Sequence, residues 1–396
     1  MRWISYVLAL TAVGGCDTQA PVAPPTAALS RRTPSTQYEV AKITSTLGGR
    51  ARGTSVNNRG WIAGFSNLAD NKSRHAVLWR SGALTDLHTL GGANSNVQWP
   101  GQNERAMIVG ISETAELNPL GESWSCSAFF PSETLHNCLG FVWESGVMRA
   151  LPTLGGYNGF ATGVSDHGWI VGWAETPVHD PTCVSPQVLQ FRAVVWDAAT
   201  LTPRELPPLK GDSTSAATAI NERGQVVGIS GRCDVAVGEF SAQHAVVWNH
   251  GIPTNIGSLG GVAWNTPMAI NDEGDVVGFS DLSGDDDGTA NFRAFLWTGK
   301  SGMTNLGTLP GDQISEAFAI NARRQVVGVS CGEVACRPFL WQNGVMADLD
   351  SLLVAGFADS LLSARDINDE GTITGDLFDK STGKKIPFVA TPRAKH

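Results

Sequence analysis

The cysteines carry the most readable chemistry in this chain. Cys126 and Cys138 share one loop, Cys331 and Cys336 share another, and Cys183 and Cys233 fall in corresponding loops of two successive repeats. An even set confined to loops suits disulfides in an oxidising compartment. A Cys126–Cys138 bridge is worth roughly 3 kcal/mol of chain entropy. Zinc is the competing chemistry, but no Cys-x-x-Cys pair is present and no histidines cluster near the cysteines in sequence, so no metal is expected. A metalloprotease His-Glu-x-x-His, a P-loop and a dinucleotide glycine pattern are absent, and no Gly-x-Ser-x-Gly nucleophile elbow is expected. No catalytic residue and no cofactor are therefore assigned. Gly211-Asp212-Ser213 has the residue types of a hydrolase block, but it falls in a connection where glycine is structural. Asp285-Asp286-Asp287-Gly288 groups the carboxylates that hard cations favour, without EF-hand spacing, and reads as a solvated acidic loop.

The elements that position these residues are repeats. The run Ala219-Ile220-Asn221-Glu222-Arg223-Gly224-Gln225-Val226-Val227-Gly228-Ile229-Ser230 returns at Ala269-Ile270-Asn271 and at Ala319-Ile320-Asn321. Weaker copies place the anchor at positions 57, 103, 165 and 368. A variable loop and an aromatic block follow each copy, at residues 75–79, 140–143, 192–196, 244–248, 293–297 and 337–341, all ending in Trp. The seventh block, residues 386–390, lacks the Trp. A Leu-x-x-Leu-Gly-Gly block or a close relative comes third.

Each unit reads as four strands. A is the Ala-x-x-Ile-Asn run, B is Val-Val-Gly-x-Ser, C is the aromatic block and D carries the two leucines. Asn-x-x-Gly makes the tight A–B turn, because both residues tolerate positive φ. Four antiparallel strands about every 50 residues, seven times over, predict an all-β, seven-bladed propeller. The last unit has no strand D, while residues 38–47 form a strand D with no blade before them. Together they complete one blade and close the ring, which removes the exposed sheet edges.

The A–B turns are uniform, so their face of the disc is expected to be plain. The B–C loops vary widely and share the other face with the D–A connections, which lead into the innermost strands. Function concentrates on variable loops held by a rigid scaffold. The D–A residues Arg50, Arg52, Asn94, Trp99, Tyr157, Asn158, Phe160, Asp212, Trp264, Asn265 and Asp312 are the candidate binding residues at the channel mouth. Aromatics beside amides and carboxylates suit a polar ligand with an apolar face, such as a sugar; packing between neighbouring loops is the structural reading. The Trp at the end of each strand C is core. His75 and His244 share a repeat position with Arg192, Arg293 and Arg337 and read as architectural.

The units resemble the bacterial extracellular repeat family named after a His-Ala-Phe tripeptide at the start of strand C (HAF repeats). The nearest matches are His75-Ala76-Val77, His244-Ala245-Val246 and Arg293-Ala294-Phe295, and the resemblance spans about residues 38–390. It implies an extracellular or cell-surface location and no activity.

Residues 1–15 read as a signal peptide, with Arg2 before an apolar stretch too short to span a bilayer. Val13-Gly14-Gly15-Cys16 resembles a bacterial lipobox, which makes Cys16 the lipidated first residue. Residues 16–37, rich in Pro, Ala and Thr, read as a tether, and residues 38–391 as the propeller. Of 396 residues, 28 are Lys or Arg and 37 Asp or Glu, for a net charge of −9. That argues against a nucleic-acid partner. The expected protein is a monomeric, exported surface lipoprotein, held to the membrane only by its lipid. It binds a carbohydrate or protein ligand without catalysis. The alternative is a polysaccharide lyase or hydrolase with its active site at the channel mouth.

Overall fold

The structure, a computed structural model, describes residues 36–284 and 291–393. The signal peptide, Cys16, the tether up to residue 35 and the Asp285-Asp286-Asp287 cluster lie outside the described residues.

Seven four-stranded antiparallel sheets form a ring, six of them running in chain order from an inner strand A to an outer strand D. Blade 1 is Gly48–Val56, Ile62–Leu68, Arg74–Arg80 and Ala83–Asp86. Blade 7 takes strands A to C from Ser360–Ile367, Ile373–Asp379 and Lys384–Pro392, and its strand D is Tyr38–Lys42. The pairing runs from Tyr38 opposite Pro392 to Lys42 opposite Phe388. The seven-bladed propeller closed by its N-terminal strand is thus observed. The Leu-x-x-Leu pairs, expected within strand D, mostly follow it instead. In blade 1, strand D ends at Asp86, Leu87 is buried in the connection, and Gly91 already opens the inner strand of blade 2.

The repeat residues explain themselves in packing. Strand A shifts register between Ala217 and Ala219 in blade 4. The shift brings the Ala216 carbonyl so close that a Cβ on Gly228 would lie 2.0 Å from it. Only glycine fits there, which accounts for its return in every strand B. The strand C tryptophans join blades: Trp79, Trp196 and Trp248 donate Nε1–H to the carbonyls of Ser45, Pro152 and Pro207, each in the connection leaving the preceding blade. The strand B serines do likewise, with Ser66, Ser230, Ser280 and Ser330 accepting from the N–H of Leu47, Leu209, Leu259 and Leu309.

On the plain face the anchor asparagines form a ring. The side-chain amide of Asn57 donates to the Asn103 carbonyl, Asn103 to Ser165, Asn221 to Asn271, Asn271 to Asn321, Asn321 to Asn368, and Asn368 back to Asn57, at 2.9–3.3 Å. Ser165 has no amide to donate, so the link from blade 3 to blade 4 is missing. That same junction is crossed by the Cys183–Cys233 disulfide between the variable loops. Cys126–Cys138 and Cys331–Cys336 are also formed, each within one loop.

Replacing Cys183 and Cys233 together with Ser should cost roughly 4 kcal/mol, because 50 residues separate them. Losing Cys331–Cys336, separated by 5, should cost roughly 2 kcal/mol. Calorimetry of the two variants checks this; equal losses would show that the inter-blade staple has no special weight.

Candidate functional site at the channel mouth

The predicted mouth residues fall into three groups. Asn94, Asn158 and Asn265 are buried clamps for the D–A turns. Asn94 Nδ2 donates to Glu113 Oε2 (2.7 Å), Asn158 Nδ2 to Glu175 Oε1 (3.1 Å), and Asn265 Oδ1 accepts from Ser280 Oγ (2.6 Å). Asp212 and Asp312 are tied to the first residue of strand C, facing His244 Nδ1 at 2.9 Å and Arg337 at 2.9 Å. Tyr157 is exposed.

The aromatic group closes part of the channel. In blade 2 the inner strand stops at Asn96, and the chain makes an excursion before Gln102 bridges Ile108. Trp99 lies in that excursion. Its ring packs edge-on against Phe129 (5.6 Å) and the fully buried Phe160 (5.0 Å). Its Nε1 reaches Met268 Sδ of blade 5, across the ring, at 3.5 Å. Trp264, Phe279 and Phe318 belong to the same apolar cluster.

Arg50 and Arg52 stand early in strand A of blade 1. Both face Asp376 in strand B of blade 7, Arg50 Nη2 at 3.6 Å and Arg52 Nε at 3.4 Å. Ser363 Oγ hydrogen-bonds Asp376 Oδ1, and Arg365 Nε donates to Ser363 Oγ at 3.2 Å. Arg365 also lies over the Phe318 ring, 4.2 Å from its centre. Arg74 stacks on Phe65 at 3.7 Å and donates to the Phe129 carbonyl, so the arginines adjoin the aromatic plug. Nε of both Arg50 and Arg52 is buried without a hydrogen bond.

Asp376 is the residue that sequence reasoning missed, and it had a signal. The residue after the strand B glycine is Phe65, Ile111, Trp173, Ile229, Phe279 and Val329 in the other blades. A carboxylate at an apolar repeat position demands counter-charges. Burial alone would raise the Asp376 carboxyl. The guanidiniums of Arg52, Arg50 and Arg365, with the Ser363 hydrogen bond, outweigh it and hold the group at about 2. Burial pushes Arg365 down to about 9, helped by Arg52, and lowers Arg50 and Arg74. Glu316 is raised, again by burial, against the pull of Arg365. The result is a crowded cluster of guanidiniums around one carboxylate.

A Gly-x-Ser-x-Gly run, Gly328-Val329-Ser330-Cys331-Gly332, is present after all, against the expectation of none. It lies along strand B of blade 6, and its serine is buried as the acceptor for Leu309 N–H, so it is no nucleophile elbow. Two surface clefts lie away from the arginines. One is lined by Gln243, His244, Asn255 and Gly257, the other by Asp312, Gln313, Val334 and Arg337.

Beneath the aromatic side, Glu122 and Glu175 are buried close together, both accepting from Gln187 Nε2, at 3.5 and 3.0 Å. Burial, then the Glu122 charge, raises Glu175 to about 7. Its folded pKa exceeds the unfolded value, so the stability from its held proton is complete below pH 4.5 and lost as pH rises through 7. Glu175→Gln should therefore raise Tm by several degrees at pH 8, where the penalty approaches roughly 3 kcal/mol, and barely change it at pH 4. An equal shift at both pH values would refute the buried proton.

No family model and no curated protein matches the chain. Solved structures do. An oligogalacturonate lyase from Vibrio parahaemolyticus is similar at 10% identity and a TM-score of 0.50, over 90% of this chain and 97% of that one. An acylaminoacyl peptidase from Pyrococcus horikoshii is similar at 10% identity and a TM-score of 0.45, over 83% of this chain and 50% of the peptidase. TolB from Acinetobacter baumannii is similar at 12% identity and a TM-score of 0.43, over 74% of this chain and 62% of TolB. The chain thus spans half to about three-fifths of the last two. At these identities the likeness is one of fold.

Proposed function

We propose that this protein is an exported, lipid-anchored HAF-repeat propeller that binds an acidic glycan at its variable-loop mouth. The carrying observation is the set of Arg50, Arg52 and Arg365 around one carboxylate, Asp376, with the buried Nε–H of Arg50 left over. Guanidinium forks match the planar carboxylate of a uronic acid. Trp99 and Phe129, joined to the cluster through Arg74, offer an apolar platform for a sugar face. Three loop disulfides suit an oxidising compartment, and the lipobox-like segment supplies the anchor at Cys16.

Affinity electrophoresis against polygalacturonate and neutral dextran tests the reading. Retardation should occur with the acidic polymer alone, weaken with salt, and fall at least about 10-fold in Arg50→Gln/Arg365→Gln. Equal retention by both polymers, or no change in the double variant, overturns it.

A second reading is favoured by one observation. Burial raises the Glu316 carboxyl while the arginines hold Asp376 low, the separation of two carboxyls that acid–base chemistry uses. With a uronate held by the arginines, that pair supports a lyase acting on the same polymer. Appearance of unsaturated uronate absorbance, lost in Glu316→Gln, would establish it.

A further inference from the structure

A second cluster lies on strands C and D, the outer half of blade 1. His75 is the second residue of strand C, Asp86 ends strand D, and His88 follows two residues later. His75 Nδ1 stands 3.0 and 2.9 Å from the two Asp86 oxygens, and His88 Nδ1 stands 3.7 Å from Oδ2. One donor atom from each of the three side chains lies within 4.8 Å of the others. The backbone N–H of His88 also donates to Asp86 Oδ1 at 2.8 Å, which fixes the carboxylate.

Comparison within the ring separates architecture from addition. The residue two before the strand C position that faces the last acid of strand D pairs with that acid in two other blades, as Arg192 with Glu205 (3.0 Å) and Arg337 with Asp348 (3.3 Å). The pair is therefore a repeat device, but arginine cannot ligate a metal. Blade 4 also has a histidine there, but His244 turns to Asp212 at 2.9 Å and its strand D offers Asn255; blade 1 pairs its histidine with a strand D carboxylate and adds a second histidine. At the position of His88, blades 4 and 5 carry Gly257 and Gly307, with φ of +85° and +79°. His88 adopts φ +63° in the same place. A histidine in a left-handed slot that sister blades give to glycine is a mild strain that the fold does not need. The ring is exposed, so it is free to swing onto a ligand (side chain 79% accessible).

We propose that His75, Asp86 and His88 form a binding site for a divalent transition-metal ion of the zinc type. Two imidazoles and a carboxylate are a ligand set that zinc accepts, with bonds of about 2.0–2.2 Å. Donors around such an ion stand about 3.3 Å apart, so a movement of about 1 Å in exposed His88 completes three-coordinate capture. The fourth position stays open to water or to a donor from another molecule.

Isothermal titration of untagged protein with Zn2+, alongside the metal-dependent rise in Tm, tests this. One equivalent should bind. His88→Gly copies Gly257 and Gly307, and His75→Arg copies the Arg192–Glu205 pair, so both keep the blade's own architecture. Each should keep the metal-free Tm yet weaken zinc binding by at least about 10- to 100-fold and abolish the Tm rise. If the wild-type protein binds no zinc, or if either folded variant binds it as tightly, the site is wrong. Should His75→Arg fail to fold, His88→Gly decides alone. Polygalacturonate retention should be unchanged in His88→Gly, so this test and that of the glycan mouth fail separately.

Discussion

A chain lacking residues 37–48 should lose the cooperative unfolding of the whole disc, or melt about 10 °C or more below the intact protein. The missing strand supplies all of strand D in blade 7, and its Tyr38 is fully buried in a core shared by blades 6 and 7. Removing a buried aromatic side chain alone costs about 3–5 kcal/mol. Two point variants locate the cause. Tyr38→Ala should reproduce much of the loss. Tyr38→Phe should be neutral or slightly stabilising, because the phenol oxygen is buried without a partner and burial pushes its pKa up to about 12 against the nearby Arg323. Calorimetry on the three variants checks the order. A truncated chain that melts like the parent would mean that the ring does not depend on this strand.

Asp376→Val should destabilise by about 3–5 kcal/mol, although valine-like residues occupy the same position in the other six blades. The carboxylate is the shared counter-ion of Arg50, Arg52 and Arg365, and the variant leaves guanidiniums buried against one another. Replacing Arg52 and Arg365 by Leu in the Asp376→Val background should recover most of the loss, because apolar packing then matches the sister blades. Acid separates the forms further. Asp376 has a folded pKa of about 2, below its unfolded value, so its contribution is present above pH 3.8 and disappears as pH falls through 2. The parent should lose roughly 2 kcal/mol over that window, and the triple variant should not show this loss. Denaturant titrations at pH 2 and pH 5 measure both. A parent and triple variant with the same acid sensitivity would exclude Asp376 as the charged centre.

The ring was legible because its signal is redundant. Asn221, Gly228, Ser230 and Trp248 each recur in fixed register, and each meets a separate physical demand: turn, close backbone approach, inter-blade hydrogen bond, inter-blade indole. The three cysteine pairs were legible from loop position. The mouth was legible only in part. Arg50 and Arg52 were found because Leu47-Gly48-Gly49 just ahead of them marks a D–A connection, although the strand already begins at Gly48. Asp376 and Arg365 were missed because they sit in strands, where an apolar default hides a charged exception. Asn94, Asn158 and Asn265 looked like ligand groups because their partners Glu113, Glu175 and Ser280 lie 15–19 residues downstream and meet them only after strands A and B pair. His75, Asp86 and His88 were separable neither as a pair nor as a triad until the C–D register was known.

The return links of the ring join residues made far apart in time. Tyr38–Lys42 emerges long before its partner Lys384–Pro392. At about 5–20 residues per second the early strand waits roughly 20–70 s for it. A solitary strand with free N–H and C=O groups invites pairing with the wrong chain. This one is only five residues long, and Glu39 and Lys42 stand on it as opposite charges at exposed positions. Such a segment pairs poorly with copies of itself and holds no register that a stray strand could extend. The molecule thus leaves its closing piece idle during vectorial synthesis and keeps it harmless by brevity and charge until the final strand arrives.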